Sequence, residues 1–334
     1  MSALFVTDPL PGLSPDVDAS VGLMAATQNL GEDVWWCAPG DLAWVDGRVL
    51  ARARQICLRP RRRASQHRWQ VETRWWEELA GAVRDVARDF TLVHLRIDPP
   101  VDDRYLHTTY LLDVVDAAGA QVVNRPSGIR ALHEKLFALR FPELCPATYV
   151  GASVAGLRAF VTDVGTAVIK PVDGFAGTGV WLVRDDASAL SLLESATCGG
   201  RRQVIAQEHL DAVERGNKRL FLLNGDVVGA VLRRPSAGDF RIGPPVAEAA
   251  VDAADLAIAE ALRPHLLRHG IAVAGVDVIG GRLIEVNLTC PGGMAKTDAL
   301  LGTDLSSDIV RRLSLAPLSL APRSLAPRPE GVLT

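Results

Sequence analysis

No stretch of this 334-residue chain approaches the length of a membrane span, which takes about 20 consecutive apolar residues. A strong charge of either sign is also missing. The formal net charge of −3 argues against general nucleic-acid binding by bulk electrostatics. The five cysteines, Cys37, Cys57, Cys145, Cys198 and Cys290, are odd in number and nowhere spaced C-x-x-C, which fits a reducing compartment and speaks against a zinc site. The opening segment Met1-Ser-Ala-Leu-Phe-Val-Thr-Asp8-Pro9 lacks a basic leader and reads as a first strand, not a signal peptide. With 48% hydrophobic and 22% charged residues, the chain can bury two or three lobes and still cover them with polar surface. A cytoplasmic protein with no membrane and no nucleic-acid partner is expected.

Residues 1–123 alternate strand and helix patterns, the signature of an α/β lobe. Strands are expected at Leu4–Val6, Val34–Trp36, Leu92–Leu95 and Gln121–Val123, with helices from Ser20 to Leu30 and from Thr108 to Ala118. A further helix is expected over Trp69 to Val86. It is preceded by the cationic run Arg59-Pro-Arg-Arg-Arg63 with His67 and Arg68, read as a solvated loop more readily than as an anion contact. Asp98-Pro99-Pro100 follows an apolar strand, so Asp98 sits at a strand end, facing a crevice or capping a turn. Asn124-Arg-Pro126 marks the crossing into a second domain over 124–313, where a helix from Ala131 to Arg140 carries Lys135. From 314 to 334 the motif Ser-Leu-Ala-Pro recurs at Ser314, Ser319 and Ser324, predicting an extended tail without catalytic share.

Two segments carry chemistry. In Asp277-Val-Ile-Gly-Gly-Arg-Leu-Ile-Glu285-Val-Asn287, apolar β-branched runs flank a Gly-Gly turn, the pattern of a β-hairpin. A two-residue loop would pair Ile279 with Arg282 and put Asp277 and Glu285 on opposite faces. A three-residue loop would pair Asp277 with Glu285 and leave Asn287 on the same face. The second arrangement presents two carboxylates and an amide to a hard cation, Mg²⁺ or Mn²⁺, which completes its shell with water and nucleotide phosphates. The other segment, Val168-Ile-Lys170-Pro171-Val-Asp173-Gly174-Phe-Ala-Gly177-Thr178-Gly179-Val-Trp-Leu-Val183, is a strand lysine followed by a glycine-rich turn and a second strand. Such a turn lets backbone N–H groups wrap a phosphate, with the lysine as point charge. It is neither a Walker A loop, whose lysine follows its glycines, nor a dinucleotide fingerprint, which opens a helix.

Together with Asp8-Pro9, Asp18, Ser20, Arg96-Ile97-Asp98-Pro99-Pro100, Asn124-Arg125-Pro126, Glu134-Lys135-Leu136-Phe137, Gln207-Glu208, Lys218-Arg219, Arg234 and Arg241, these segments resemble the ATP-grasp ligases, and among them the bacterial glutathione synthetases. The resemblance implies an N-terminal doubly wound α/β lobe plus two β-rich lobes enclosing ATP. It implies Lys135, Lys170, Gly174, Gly177 and Gly179 around the phosphates and a hinge Gln207, Glu208, His209 and Leu210 against adenine. Arg219, Arg234 and Arg241 fall at catalytic positions, Asp277, Glu285 and Asn287 at metal-binding ones, and Asp18, Ser20, Arg96, Asp98 and Thr289 at substrate-binding ones. The implied reaction forms a peptide bond between γ-glutamylcysteine and glycine through an acylphosphate, in a homo-oligomer.

The chain also departs from the family. The lid after Arg241 is shortened to Phe240-Arg241-Ile242-Gly243-Pro244-Pro245-Val246, a basic residue becomes Ile97, and the Arg-Glu that follows the Thr-x-Pro of the family is lost from Thr289-Cys290-Pro291-Gly292-Gly293-Met294-Ala295-Lys296. These changes favour, as the alternative, a ligase joining another carboxylate and amine; a third reading from a different class, a nucleotide-binding protein without catalysis, is opposed by the intact Lys170, Asp277, Glu285 and Asn287.

Overall fold

The computed structural model describes residues 2–65, 67–174, 177–235 and 241–315. The repeats at Ser319 and Ser324, and Phe240 of the lid, lie outside them. The first lobe runs β1 (Ser2–Thr7), α1 (Ala19–Asn29), β2 (Asp33–Cys37), β3 (Leu42–Val45), β4 (Arg48–Leu58), β5 (Arg62–Ser65), β6 (Arg68–Gln70), β7 (Trp76–Asp85), α2 (Val86–Asp89), β8 (Leu92–Arg96), α3 (Asp103–Ala117) and β9 (Gln121–Val123). Strands β2, β1, β8 and β9 lie parallel in that order, and β4, antiparallel to β2, carries β3 and β7. Strand β1 is apolar from Ala3 to Val6 because both faces are covered. Leu4 and Val6 pack with Leu112 and Val115 of α3, while Ala3 and Phe5 share a core with Leu23 and Met24 of α1. The chain leaves β1 toward β2 on one side and returns as β8 on the other. Asp8 and Asp98 therefore lie in the crevice beyond the carboxyl ends of these strands.

The remainder runs α4 (Pro126–Ala131), β10 (Thr148–Gly151), α5 (Val154–Val164), β11 (Thr166–Pro171), β12 (Trp181–Arg184), α6 (Ala189–Ala196), β13 (Val204–Glu208), β14 (Asn217–Leu223), β15 (Asp226–Pro235), β16 (Ile242–Glu248), α7 (Ala253–Arg268), β17 (Val273–Ile279), β18 (Arg282–Asn287), α8 (Met294–Leu301) and α9 (Leu305–Leu315). It forms two antiparallel sheets, β10-β13-β11-β12 and β16-β15-β14-β17-β18. Each buries one face under helices. Leu157, Val161 and Leu193 of α5 and α6 cover Ala167, Ile169 and Ala206, and Ile258, Leu262 and Leu266 of α7 cover Leu220, Leu222, Val276 and Val278. Helix α9 returns to the first lobe, where Ile309 and Leu313 join Ala3 and Phe5.

The lobes are joined at Asn124. Its Nδ2 donates to the carbonyls of Val273 and Leu288 at 2.7 Å each, and its Oδ1 accepts from the N–H groups of Ala272 and Val273 at 2.9 Å each. The amide is saturated, and the bonds reach both ends of the β17–β18 hairpin.

Two local expectations are overturned. Residues 76–85 are a strand, not part of a helix over Trp69 to Val86. The segment is rich in Glu, Leu and Ala, but pairing along β4 from Leu50 to Leu58 outweighs that modest helix preference. Nor does a helix run from Ala131 to Arg140: α4 ends at Ala131, and Lys135 lies in a turn before the 3-10 segment Phe137–Arg140. Here Glu134 Oε1 accepts from Leu288 N–H, Thr289 N–H and Thr289 Oγ1, and His133 Nδ1 accepts from the Lys135 N–H. These side-chain bonds hold the segment in a turn in place of a helical ladder. The Arg59–Arg63 run is not a solvated loop before a helix either. It leads into the β5–β6 hairpin, where the Arg61 guanidinium lies over the Trp69 ring at 4.3 Å.

Buried His94 stacks on Phe5, ring centroids 4.4 Å apart and 13° from parallel, and burial, then Arg96, lowers its pKa to about 3. The folded state therefore holds this imidazole neutral, while the unfolded chain protonates it below its ordinary pKa of about 6.5. Between those two values the unfolded state binds the extra proton, so stability falls as pH drops from about 6.5 toward about 3, by about 1 kcal/mol per pH unit in mid-window. His94→Phe should flatten that acid limb in urea melts recorded across the window. An unchanged slope would remove His94 as its source.

Candidate active site

Strands β17 and β18 pair Asp277 directly with Glu285, as the cation reading requires, but by another route than a longer loop. The loop has two residues: Ile279 pairs with Arg282, and Gly280 and Gly281 both take positive φ, 57° and 77°, the backbone of a type I′ turn. Val278 pairs with Leu283 and Asp277 with Glu285, so the register slips at Ile284, an extra residue forming a β-bulge. The bulge also turns two adjacent residues, Ile284 and Glu285, toward the same cavity.

That cavity, about 660 Å³, lies between the β11–β13 and β14–β18 faces not covered by helices. Lys135, Lys170, Gly174, Gly177, Gln207, Glu208, His209, Leu210, Arg219, Arg241, Asp277, Glu285 and Asn287 all line it. Lys170 donates to Gln207 Oε1 at 2.6 Å, and Lys135 donates to the Gly174 carbonyl. Gly174 leaves no room for a side chain, since a Cβ there would meet Pro171 Cγ at 2.4 Å. Gly179, though φ is +69°, is not among the lining residues. Val168, Leu210, Val213, Ile279 and Ile284 give the cavity an apolar stretch beside the Gln207–Leu210 segment, suited to an aromatic base.

Charge is concentrated at the acid hairpin. Arg219 grips Asp277 with two bonds, Nε to Oδ1 at 2.5 Å and Nη2 to Oδ2 at 3.0 Å, and Arg233 Nη2 reaches Oδ1 at 2.6 Å. Burial alone would raise the Asp277 carboxyl, but Arg219 and then Arg233 outweigh it and hold the group well below the usual carboxylate range. Glu285 goes the other way. Burial and then the charge of Asp277 raise it, and Lys135 and Lys170 offset this only in part. Burial likewise lowers Lys170, opposed by Glu285.

Two like charges side by side make a place where a cation relieves repulsion. Asn287 adds to it: its Nδ2 donates to the Gly275 carbonyl at 3.1 Å, leaving Oδ1 as the ligating atom. Among the described residues no group of three or more His, Cys, Asp or Glu could hold an ion. A metal here would rest on two carboxylates, one amide oxygen and the oxygens of a bound nucleotide, a donor set that fits a hard divalent cation.

The expected substrate residues gather elsewhere, at the first lobe. Asp18 caps α1, accepting from the Ser20 and Val21 N–H groups at 2.7 and 3.0 Å. Arg96 is buried, donating to Ser20 Oγ at 3.2 Å and to the Pro291 carbonyl at 3.0 Å, and Thr289 is buried against Glu134. Asp98 is exposed and does not cap the turn; its N–H is capped by Asp8 Oδ2 at 3.0 Å. Cys290 Sγ lies 3.6 Å from the Arg96 carbonyl, and burial pushes the thiol far up.

Arg234 is exposed and lines no part of the cavity, whereas its neighbour Arg233 does. Strand parity decides between them. Arg233 pairs with Asn217, two residues from Arg219, and residues paired across strands share a face. That register is a long-range fact, so adjacent arginines could not be told apart beforehand. His67, Arg68 and Lys296 also line the cavity without having been singled out as site residues.

Known proteins resemble this chain along nearly its whole length. The family profile "Prokaryotic glutathione synthetase, N-terminal domain" matches residues 1–130, and "Prokaryotic glutathione synthetase, ATP-grasp domain" matches 134–302. A glutathione synthetase of Parasynechococcus marenigrum is 38% identical over 318 residues, 94% of this chain and 99% of that one. Another, from Thermosynechococcus vestitus, is 39% identical over 315 residues, 93% and 98% of the two chains. Among solved structures, a RimK domain ATP-grasp protein from Sphaerobacter thermophilus superposes with a TM-score of 0.57 at 18% identity, covering 93% of this chain and 98% of its own. That likeness bears on the fold alone.

Removing Arg233 leaves Asp277 with one guanidinium, so Arg233→Ala should lower ATP turnover at least ~10-fold, about 1.4 kcal/mol. Arg234→Ala should leave turnover and melting temperature unchanged. Steady-state ADP release by the two purified variants checks this, and the reverse ranking would contradict the face assignment.

Proposed function

Because the chain belongs to the prokaryotic glutathione synthetase family, we propose that it joins the C-terminal carboxylate of γ-glutamylcysteine to the amine of glycine while cleaving ATP to ADP. The observation that carries this reading is the cavity in which the paired acids Asp277 and Glu285 face Lys135 and Lys170 beside the Gln207–Leu210 segment. A carboxylate oxygen of the peptide attacks the γ-phosphorus of ATP, the bond to ADP breaks, and an acylphosphate forms. The glycine nitrogen then attacks the acyl carbon, phosphate leaves, and the nitrogen sheds its proton.

Positioning and charge neutralisation supply most of the catalysis in phosphoryl transfer. Lys135 and Lys170 neutralise phosphate oxygens, and the Gly174 turn brings backbone against them. Leu210 and the apolar wall hold adenine. Arg219 and Arg233 keep Asp277 ionised, and Arg241, which lies against Gly177, bridges the two lobes over the cavity. Mg²⁺ held by Asp277, Glu285 and Asn287 would supply charge neutralisation at the transferring phosphoryl group. The crevice with Asp18, Ser20, Arg96 and Asp98 takes the glutamyl end, its ammonium toward the acids. A different pair of carboxylate and amine is favoured by one observation: the segment after Asn287 has lost the Arg-Glu of the family.

Purified protein with Mg-ATP should release ADP on γ-glutamylcysteine and glycine together. The shortened lid predicts lesser release when glycine is omitted, because water then reaches the acylphosphate. Glu285→Gln, close to isosteric, should cut turnover roughly 100-fold or more while folding is kept. No ADP above background on this pair, with release on another, would replace the glutathione reading by the broader ligase one. Full turnover in Glu285→Gln would remove the acid pair from the mechanism.

A further inference from the structure

Two elements far apart in sequence build the end of the cavity lined by His67, Arg68 and Lys296. The β5–β6 hairpin is pinned to α8 by Trp69 Nε1 to the Ala295 carbonyl at 2.8 Å and by the Arg63 guanidinium to the Ala299 and Leu300 carbonyls at 2.9 and 3.0 Å. The Trp69 N–H also donates to the Asp16 carbonyl at 2.9 Å, tying the hairpin to the loop before α1. Trp69 thereby sets its neighbour Arg68 near Lys296, the residue after Ala295, and both line the cavity with His67.

Arg68 is paired with Asp16. Lys296 makes no hydrogen bond or ion pair with any described residue, although it is half-buried and within the fields of Arg68 and Arg233. Burial and these two cations outweigh the fields of Asp16, paired with Arg68, and of Asp18 on the α1 cap, so holding a lysine there is unfavourable until an anion arrives.

We infer that Lys296 and Arg68, with His67, form the subsite for the α-carboxylate of the amine substrate, a small amino acid. This rests on the ligase reading above. In an α-amino acid the nucleophilic nitrogen and the carboxylate share one carbon, so the carboxylate must be held close to the reacting acyl carbon. Arg233 links the two, since it meets Asp277 at 2.6 Å and lines the same cavity as Lys296 and Arg68. Cations around the amine also favour its neutral, nucleophilic form. The glutamyl end of the acyl substrate, which carries an ammonium, fits the acidic crevice of Asp8, Asp18 and Asp98 instead.

The test is steady-state kinetics of the full-length chain with ATP, γ-glutamylcysteine and glycine each varied in turn. Lys296→Ala should raise the KM for glycine at least 10-fold and leave those for ATP and γ-glutamylcysteine within 2-fold. Lys296→Arg should restore most of the loss. Glycinamide, which lacks the carboxylate, should be a poor acceptor for the unmodified protein, and Lys296→Ala should discriminate against it at least 10-fold less. Turnover with an unmoved glycine KM, or a rise confined to γ-glutamylcysteine, overturns the subsite alone. No turnover by the unmodified protein on this pair overturns the glutathione reading and the subsite with it.

Discussion

The site depends on the buried amide of Asn124. Its four hydrogen bonds go to the start of β17 and to the residue after β18, so the hairpin with Asp277 and Glu285 is held at both ends by the residue that follows the last strand of the first lobe. A buried amide with all four capacities used tolerates little displacement, because any shift leaves a backbone donor or acceptor unmatched at a cost of about 1–3 kcal/mol each. Glu134 acts in parallel from the next turn, holding Leu288 and Thr289 through one carboxylate oxygen. The acids are thus placed relative to the first lobe before any ligand arrives.

The charges show a second constraint. Arg219 and Arg233 take both oxygens of Asp277, while Glu285 faces two lysines that sit on other elements. The hairpin is compensated unequally: one acid is fixed by the two-pronged Arg219 and by Arg233, the other is opposed by point charges on Lys135 and Lys170. Arginine suits the first task and lysine the second, since a planar fork fixes geometry and a flexible ammonium can follow a moving phosphate.

Much of this was legible in the residues. The βαβ alternation of the first lobe, the Gly174 turn and the acid hairpin all followed from local pattern. What was not legible depended on pairing at a distance. The two-residue turn was visible in Gly280-Gly281, yet Asp277 meets Glu285 only because Ile284 bulges, and nothing local marks that residue. Arg233 and Arg234 are chemically identical neighbours, separated only by the register of β15 on β14. Residues 76–85 read as helix formers until β4 supplies a partner along their length. The cationic hairpin reads as surface because the residues that receive it, Ala295 to Leu300, come more than two hundred positions later.

Helix α9 packs against the face of β1 that carries Ala3 and Phe5, after the chain has passed through both other sheets. The ribosome releases the chain from its amino end, so the cover of this face is not complete until residues beyond 305 emerge. The first lobe is therefore made before the two sheets that follow it and finished after them. A nascent chain stopped short of α9 would expose apolar side chains of that earlier lobe, an invitation to chaperones or to aggregation.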